Sequence, residues 1–366
     1  MKITISVIKA DIGSLAGHVT PSKAVFESVK NHVESAGKDI ILDRAFFHTG
    51  DDISILMSHT HGIMAEPVHK LAWDAFVKGT EVAKSQGLYG AGQDLLKDSF
   101  SGNVKGMGPA YAEMEFEERP NEPFVLFMAD KTEPGAFNLP FYLSFIDPFH
   151  CPGLLISPEM KKGFEFNIMD VGYTEADRVI KLNAPEDIYN IAALLRDIEK
   201  YVIETIYSRE TGEQAAAIST LRLHNIAGKY TGKDDPVALV RTQKQFPATG
   251  EILSPYAIAP YVGGDCRGSH NIPLMPVKLN STISHFDGPA IISAAGFCVH
   301  EGKFTESVDL FDHPTWDWVR QKAAQKVMAI REQGFFGCAM LGLGELEYTG
   351  IMERLKELDQ KFEVRK

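Results

Sequence analysis

The sequence predicts an α/β fold in a single domain spanning residues 1–366. Two patterns carry that prediction. Runs with apolar residues at every second position alternate with runs whose apolar residues recur three or four apart, from one end of the chain to the other. No internal repeat, low-complexity tract or linker interrupts the alternation. Composition agrees: 366 residues, 44% hydrophobic and 23% charged, describe a globular chain long enough for an extensive core.

Taken in order, Ile3, Ile5 and Val7 read as a strand ending at Asp11. Ala24 to Ser35 reads as a helix with Val25, Val29 and Val33 on one side. Ile40 to His48 is a second strand running into Gly50-Asp51-Asp52, and Ile53 to Ser58 a third, followed by His59 and His61. Pro67 to Ser85 is an amphipathic helix with proline suited to its first turn. Phe124 to Ala129 is a fourth strand, leading to Asp130-Lys131. The glycine-rich stretch from Gly87 to Pro109 fits neither the P-loop nor the dinucleotide fingerprint.

Beyond Asp147 the pattern suggests strands over Gly163 to Asp170 and Arg178 to Asn183, then a helix from Pro185 to Lys200. Ala215 to Leu223, Val237 to Arg241 and Ala290 to Val299 read as strands. Trp316 to Gln333 reads as a helix, and Ile351, Leu355, Leu358 and Phe362 mark one face of a last one. Strand ends therefore carry Asp11, the pair Asp51 and Asp52, and Asp130. In an open sheet, adjacent strand ends would gather them in one crevice.

A formal charge of -12, with no compensating basic tract, argues against a nucleic-acid or anionic-membrane surface. Cys151, Cys266, Cys298 and Cys338 are widely spaced and read as reduced, mostly buried thiols. No signal peptide or run of about 18 apolar residues is present, so a cytoplasmic protein is expected.

The densest chemistry lies in Gly228-Lys-Tyr230-Thr-Gly-Lys233-Asp234-Asp235-Pro236. It offers an amine, a phenol and two carboxylates on backbone shaped by glycine and proline. For Lys233 to act as a nucleophile near neutrality its pKa must fall by roughly 3 units, about 4 kcal/mol. Two carboxylates about 6 Å away at an effective dielectric of about 20 oppose that by about 5 kcal/mol. Divalent cations held by those carboxylates would reverse the balance. Without them Lys233 is an ordinary ammonium in a salt bridge.

Asp11, His18, Asp51, Asp52, Gln93, Asp130, Asp234 and Asp235 form an oxygen-rich set with one imidazole, suited to Mg²⁺ rather than zinc. Singly, each aspartate also fits a turn or a helix cap. Their recurrence beside glycine turns points instead to several ions holding phosphate oxygens. Lys131 and Arg267, the latter after Gly263-Gly264, are candidate phosphate clamps.

The chain resembles the archaeal-type bifunctional fructose-1,6-bisphosphate aldolase/phosphatases. The resemblance rests on Ser6-Val-Ile-Lys-Ala-Asp11-Ile-Gly-Ser, Gly50-Asp51-Asp52, Gly87-Leu-Tyr89, Gly92-Gln93-Asp94 and Asp98-Ser-Phe-Ser-Gly102-Asn103. It continues through Met128-Ala-Asp130-Lys131-Thr-Glu-Pro-Gly, the Lys233-Asp234-Asp235 stretch, Arg267-Gly-Ser-His, Phe286-Asp287-Gly-Pro and Glu347-Tyr348-Thr349.

That resemblance implies a layered α-β-β-α sandwich, a homo-octamer, and a gluconeogenic enzyme with two activities in one site. Dihydroxyacetone phosphate would condense with glyceraldehyde 3-phosphate to fructose 1,6-bisphosphate, whose 1-phosphate would be hydrolysed to give fructose 6-phosphate. Lys233 would form the Schiff base, Tyr230 would be the aldol acid/base, and Asp11 would activate water. Asp11, His18, Asp51, Asp52, Gln93, Asp130, Lys233, Asp234 and Asp235 would surround several Mg²⁺ ions. His18, Tyr89, Gly102, Asn103, Lys131, Tyr230, Gln243, Arg267, Asp287 and Tyr348 would bind sugar and phosphates. A Mg²⁺-dependent sugar bisphosphatase without aldolase activity, and a non-catalytic sugar-phosphate or cation-binding protein, are the alternatives.

Overall fold

The computed structural model describes residues 1–95, 108–173, 175–222, 234–258, 261–262, 272–283, 289–332 and 350–365. Its strands form two sheets, of five and twelve strands among the described residues. The first has β1 (Lys2–Ala10) at its centre. β3 (Asp52–His59) and then β2 (Asp43–Thr49) lie on one side of it. On the other side are β4 (Ala110–Glu117) and the short β10 (Leu221–Arg222). Every pairing in this sheet is antiparallel.

β1 reads apolar for nearly its whole length because both of its faces are covered. Ile8 and Ala10 share a core with Val25, Val29 and Val33 of α1 (Lys23–Ala36) and with Leu71, Ala75 and Phe76 of α2 (Glu66–Ser85). α1 starts where it does because the Ser22 hydroxyl accepts the Val25 N–H. On the opposite face, Ile3, Ile5 and Val7 pack with Leu56 and Met114 against the second sheet.

The facing surface of the second sheet is made by Phe124, Leu126 and Met128 of β5 (Glu122–Asp130) and Val237 and Leu239 of β11 (Val237–Arg241). β14 (Ala290–His300) borders β5 on its other edge and is followed outward by β13 (Ile272–Pro276) and β12 (Tyr261–Val262). Beyond β11 the sheet continues through β9 (Gln214–Ile218), β8 (Tyr201–Ser208), β6 (Phe164–Asp170) and β7 (Arg178–Asn183). Its far face, with Val125, Phe127, Ile168 and Ile203, shares a core with Phe137, Phe141, Phe145 and Ile191 from the helical segments.

The mixed α/β class is as predicted, and several details are corrected. β4 and β8 escape the sequence reading: Glu113 and Glu115 interrupt one, and the turn-rich segment before Tyr201 masks the other. The helix expected over Pro185 to Lys200 covers only Ile188–Leu195. The last helix, Gly350–Asp359, stops before Phe362, which still packs on Tyr201 with ring centroids 5.7 Å apart. Of the two cysteines among the described residues, Cys151 is buried and Cys298 is exposed. His59 is structural: its ring nitrogen meets the Ser6 hydroxyl at 2.8 Å, and Ser6 donates to buried Glu113 at 2.6 Å. Among the described residues no helix is long and apolar enough to cross a membrane.

Candidate active site

The inner faces of both sheets are apolar along most of their length and turn acidic at one end. β1 leaves the sheet at Ala10, opposite Ile53 of β3, which sets Asp11 beside the start of that strand. β2 and β3 join through the two-residue turn Gly50-Asp51, closed by the Thr49–Asp52 pair, with Gly50 at φ +57°. From the second sheet come Asp130, ending β5, and Asp235, just ahead of β11. The carboxylates therefore meet across two facing sheets. The single crevice at the strand ends of one open sheet is not what forms, and Asp52 opens a strand rather than closing one.

Two acidic triads result. Ligand atoms of Asp11, His18 and Asp51 lie within 4.8 Å of one another, and so do those of Asp52, Asp130 and Asp235. The Lys131 ammonium joins the groups, donating at 2.9 Å to Asp51 Oδ1 and at 2.9 Å to Asp130 Oδ1. The Asp51 N–H adds a bond of 3.3 Å to Asp130 Oδ2. His18 Nδ1 stands 3.1 Å from Asp51 and 3.5 Å from Asp11, and Tyr89 packs edge-on against its ring at 5.0 Å. Lys9, fully buried, makes an ion pair with Asp52.

Local backbone fixes these groups. Asp94 accepts the Asp11 N–H at 2.9 Å, and its own N–H returns to the Asp11 carbonyl at 3.0 Å. Thr132 N–H donates to Asp235 Oδ1 at 2.7 Å, and Asp235 N–H to the Thr132 carbonyl at 3.1 Å. Lys131 and Asp235 both occupy the left-handed region, at φ +62° and +49°. Non-glycine residues are held there at a cost of order 1 kcal/mol each, and such strain concentrates at functional sites.

Five buried or half-buried carboxylates here face two ammonium groups and one imidazole among the described residues. Burial pushes Asp11 up to about 6, with the Asp51 charge adding to it. Burial likewise takes Asp130 up to about 8, against the pull of Lys131. Burial and the neighbouring Asp234 raise Asp235 well above the usual carboxylate range. His18, bonded to Asp11 and Asp51, rises to about 10. Asp51 alone is held low: burial works against it, but Lys131 and His18 prevail. Protons thus occupy places that divalent cations fit, and the donor set of carboxylates with one imidazole could hold such ions.

A pH dependence follows. Asp130 binds its proton more tightly folded than unfolded, so between about pH 4 and pH 8 the cation-free fold loses stability as pH rises. In EDTA, Asp130→Asn is expected to melt higher than wild type, with the gap opening between pH 5 and pH 8.5. Excess Mg²⁺ should reverse the order. A gap of equal size at both pH values would refute this.

Of the residues picked from the sequence, Asp11, His18, Asp51, Asp52, Asp130, Lys131 and Asp235 come together, with Tyr89 against His18. Asp234 adjoins Asp235, and Gln93 sits in the turn that returns to Asp11 through Asp94. Gln243 does not join them within this chain. It lies past the opposite end of β11, exposed, with its amide 3.4 Å from the Thr249 hydroxyl. Gly102, Asn103, Tyr230, Lys233, Arg267, Asp287 and Tyr348 lie outside the described residues.

A family model described as Fructose-1,6-bisphosphatase matches residues 2–363. A curated protein of Thermus thermophilus, named Fructose-1,6-bisphosphate aldolase/phosphatase, is 57% identical over 362 residues, covering 99% of this chain and 100% of that protein. The chain belongs to the fructose-1,6-bisphosphate aldolase/phosphatase family. Family proteins of the same name from Cenarchaeum symbiosum and Methanothermobacter marburgensis are 49% and 47% identical, covering 99% of this chain and 95% and 99% of their own lengths.

In this member of the family, sequence reasoning passed over Lys9 and Asp94, although both lie in the motifs that carry the resemblance. A signal for Lys9 was present. It shares the strand face of Ile3, Ile5 and Val7, where a charge is out of place unless something across the interface receives it.

Proposed function

We propose that the chain condenses dihydroxyacetone phosphate with glyceraldehyde 3-phosphate and then removes the 1-phosphate of the product, giving fructose 6-phosphate from one site. The observation that carries this is the pair of acidic triads bridged by Lys131, with Asp235 of the second triad only two residues from Lys233. The names of the relatives support both activities.

Asp11, His18, Asp51, Asp52, Gln93, Asp130, Asp234 and Asp235 would hold Mg²⁺, with Lys233 contributing beside them. When bound, Mg²⁺ supplies positive charge that grips phosphate oxygens and lowers the proton affinity of a neighbouring ammonium. Lys233 then adds through Nζ to the ketone carbon of dihydroxyacetone phosphate, and loss of water leaves an iminium on the lysine. Tyr230 takes a proton from the adjacent carbon, and the resulting enamine carbon bonds the aldehyde carbon of glyceraldehyde 3-phosphate. Tyr230 returns a proton to the new hydroxyl, and water cleaves the iminium to free Lys233 and fructose 1,6-bisphosphate. For hydrolysis, Asp11 takes the proton of the attacking water. Lys131, Tyr89, Gly102, Asn103, Arg267, Asp287 and Tyr348 bind the sugar and its phosphates.

The test supplies both triose phosphates with Mg²⁺ and measures fructose 6-phosphate, with an EDTA arm expected to fall to background. A bisphosphatase lacking the first reaction would release phosphate from fructose 1,6-bisphosphate and make nothing from the trioses. A binding protein would do neither.

A further inference from the structure

Lys9 is fully buried on the inward face of β1, in line with Ile3, Ile5 and Val7. Its ammonium pairs with Asp52 of the first sheet and donates to the Ala129 carbonyl of the second at 3.3 Å, one residue before Asp130. Asp52 and Asp130 belong to the same triad yet come from opposite walls. One cation therefore bonds both walls directly at the site. Lys131 ties the same walls through Asp51 and Asp130, whereas Lys9 acts within the second triad, on Asp52 and on the carbonyl next to Asp130.

We propose that Lys9 is a positioning residue that sets the separation of Asp52 and Asp130 and so fits the second triad to a small divalent cation. This rests on the reading of the triads as cation sites. Magnesium holds oxygens at about 2.0–2.1 Å in near-octahedral geometry, whereas calcium accepts about 2.3–2.6 Å and irregular shells. A slackened triad therefore loses magnesium before calcium.

The experiment titrates substrate-free wild type, Lys9→Met and Lys9→Arg with Mg²⁺ and with Ca²⁺ by calorimetry. Lys9→Met should bind Mg²⁺ at least about tenfold more weakly, and its preference for Mg²⁺ over Ca²⁺ should fall about tenfold. Lys9→Arg, which keeps the charge and changes the reach, should shift the preference in the same direction by less, and decides the matter if the methionine variant does not fold. Arg241→Met, which removes a buried ion pair with Glu122 at the other end of β11, should leave the preference unchanged. An unchanged preference in the folded Lys9 variants, or tighter Mg²⁺ binding, would overturn the proposal, as would an equal shift in Arg241→Met. A wild type that binds neither ion would instead remove the reading beneath it.

Discussion

Lys233→Ala is expected to lose triose phosphate condensation by at least about 10³-fold while hydrolysis of fructose 1,6-bisphosphate stays within about tenfold of wild type. The two reactions separate because only carbon–carbon bond formation needs an electron sink covalently tied to the substrate. Phosphate release draws on Asp11 and the carboxylate triads, which the substitution leaves in place. Borohydride in the presence of dihydroxyacetone phosphate should add mass to the wild-type chain at Lys233 and none to the variant. Equal loss of both reactions would mean that Lys233 serves as a cation for phosphate, and that the lyase assignment is wrong.

Gly50→Ala should be nearly as damaging although it removes no functional group. Gly50 sits at φ +57°, where a Cβ is strained, and that Cβ would lie inside the envelope of Asp130 Oδ2. Backbone strain there costs about 1 kcal/mol, a modest share of total stability. The steric conflict falls on Asp130 itself, so the carboxylate must swing away from Asp52, Asp235 and Lys131. Folding should survive with a small drop in melting temperature. Mg²⁺ binding and both activities should fall by about 10² or more. Near-wild-type magnesium affinity in a folded Gly50→Ala protein would show that Asp130 is not needed where it stands.

Local patterns made much of this legible. α1, α2, β1, β3, β11 and β14 follow from apolar periodicity, because each has one or two faces to bury and its own sequence records them. The recurrence of aspartate at glycine turns marks the acidic residues from sequence alone. What the pattern lacks is partnership between distant segments. Nothing near Asp52 says that Asp130 faces it from another sheet, since the 3.80 Å step of the backbone constrains only neighbours. Gln243 shows the same gap: five strand residues separate it from the acidic end, and its local sequence says nothing of which end the site occupies. Lys9 is hard to single out because a lone basic residue ordinarily means a wet surface, and only the parity of its strand argues otherwise.

A centre divided between facing walls has a consequence for how the chain matures. The second triad takes Asp52 from one wall and Asp130 and Asp235 from the other, so no partly folded form carrying one sheet can assemble that group. Uptake at the second triad then reports complete assembly, and an ion bound there acts as a rivet through the seam, withdrawing molecules from the pool that reopens.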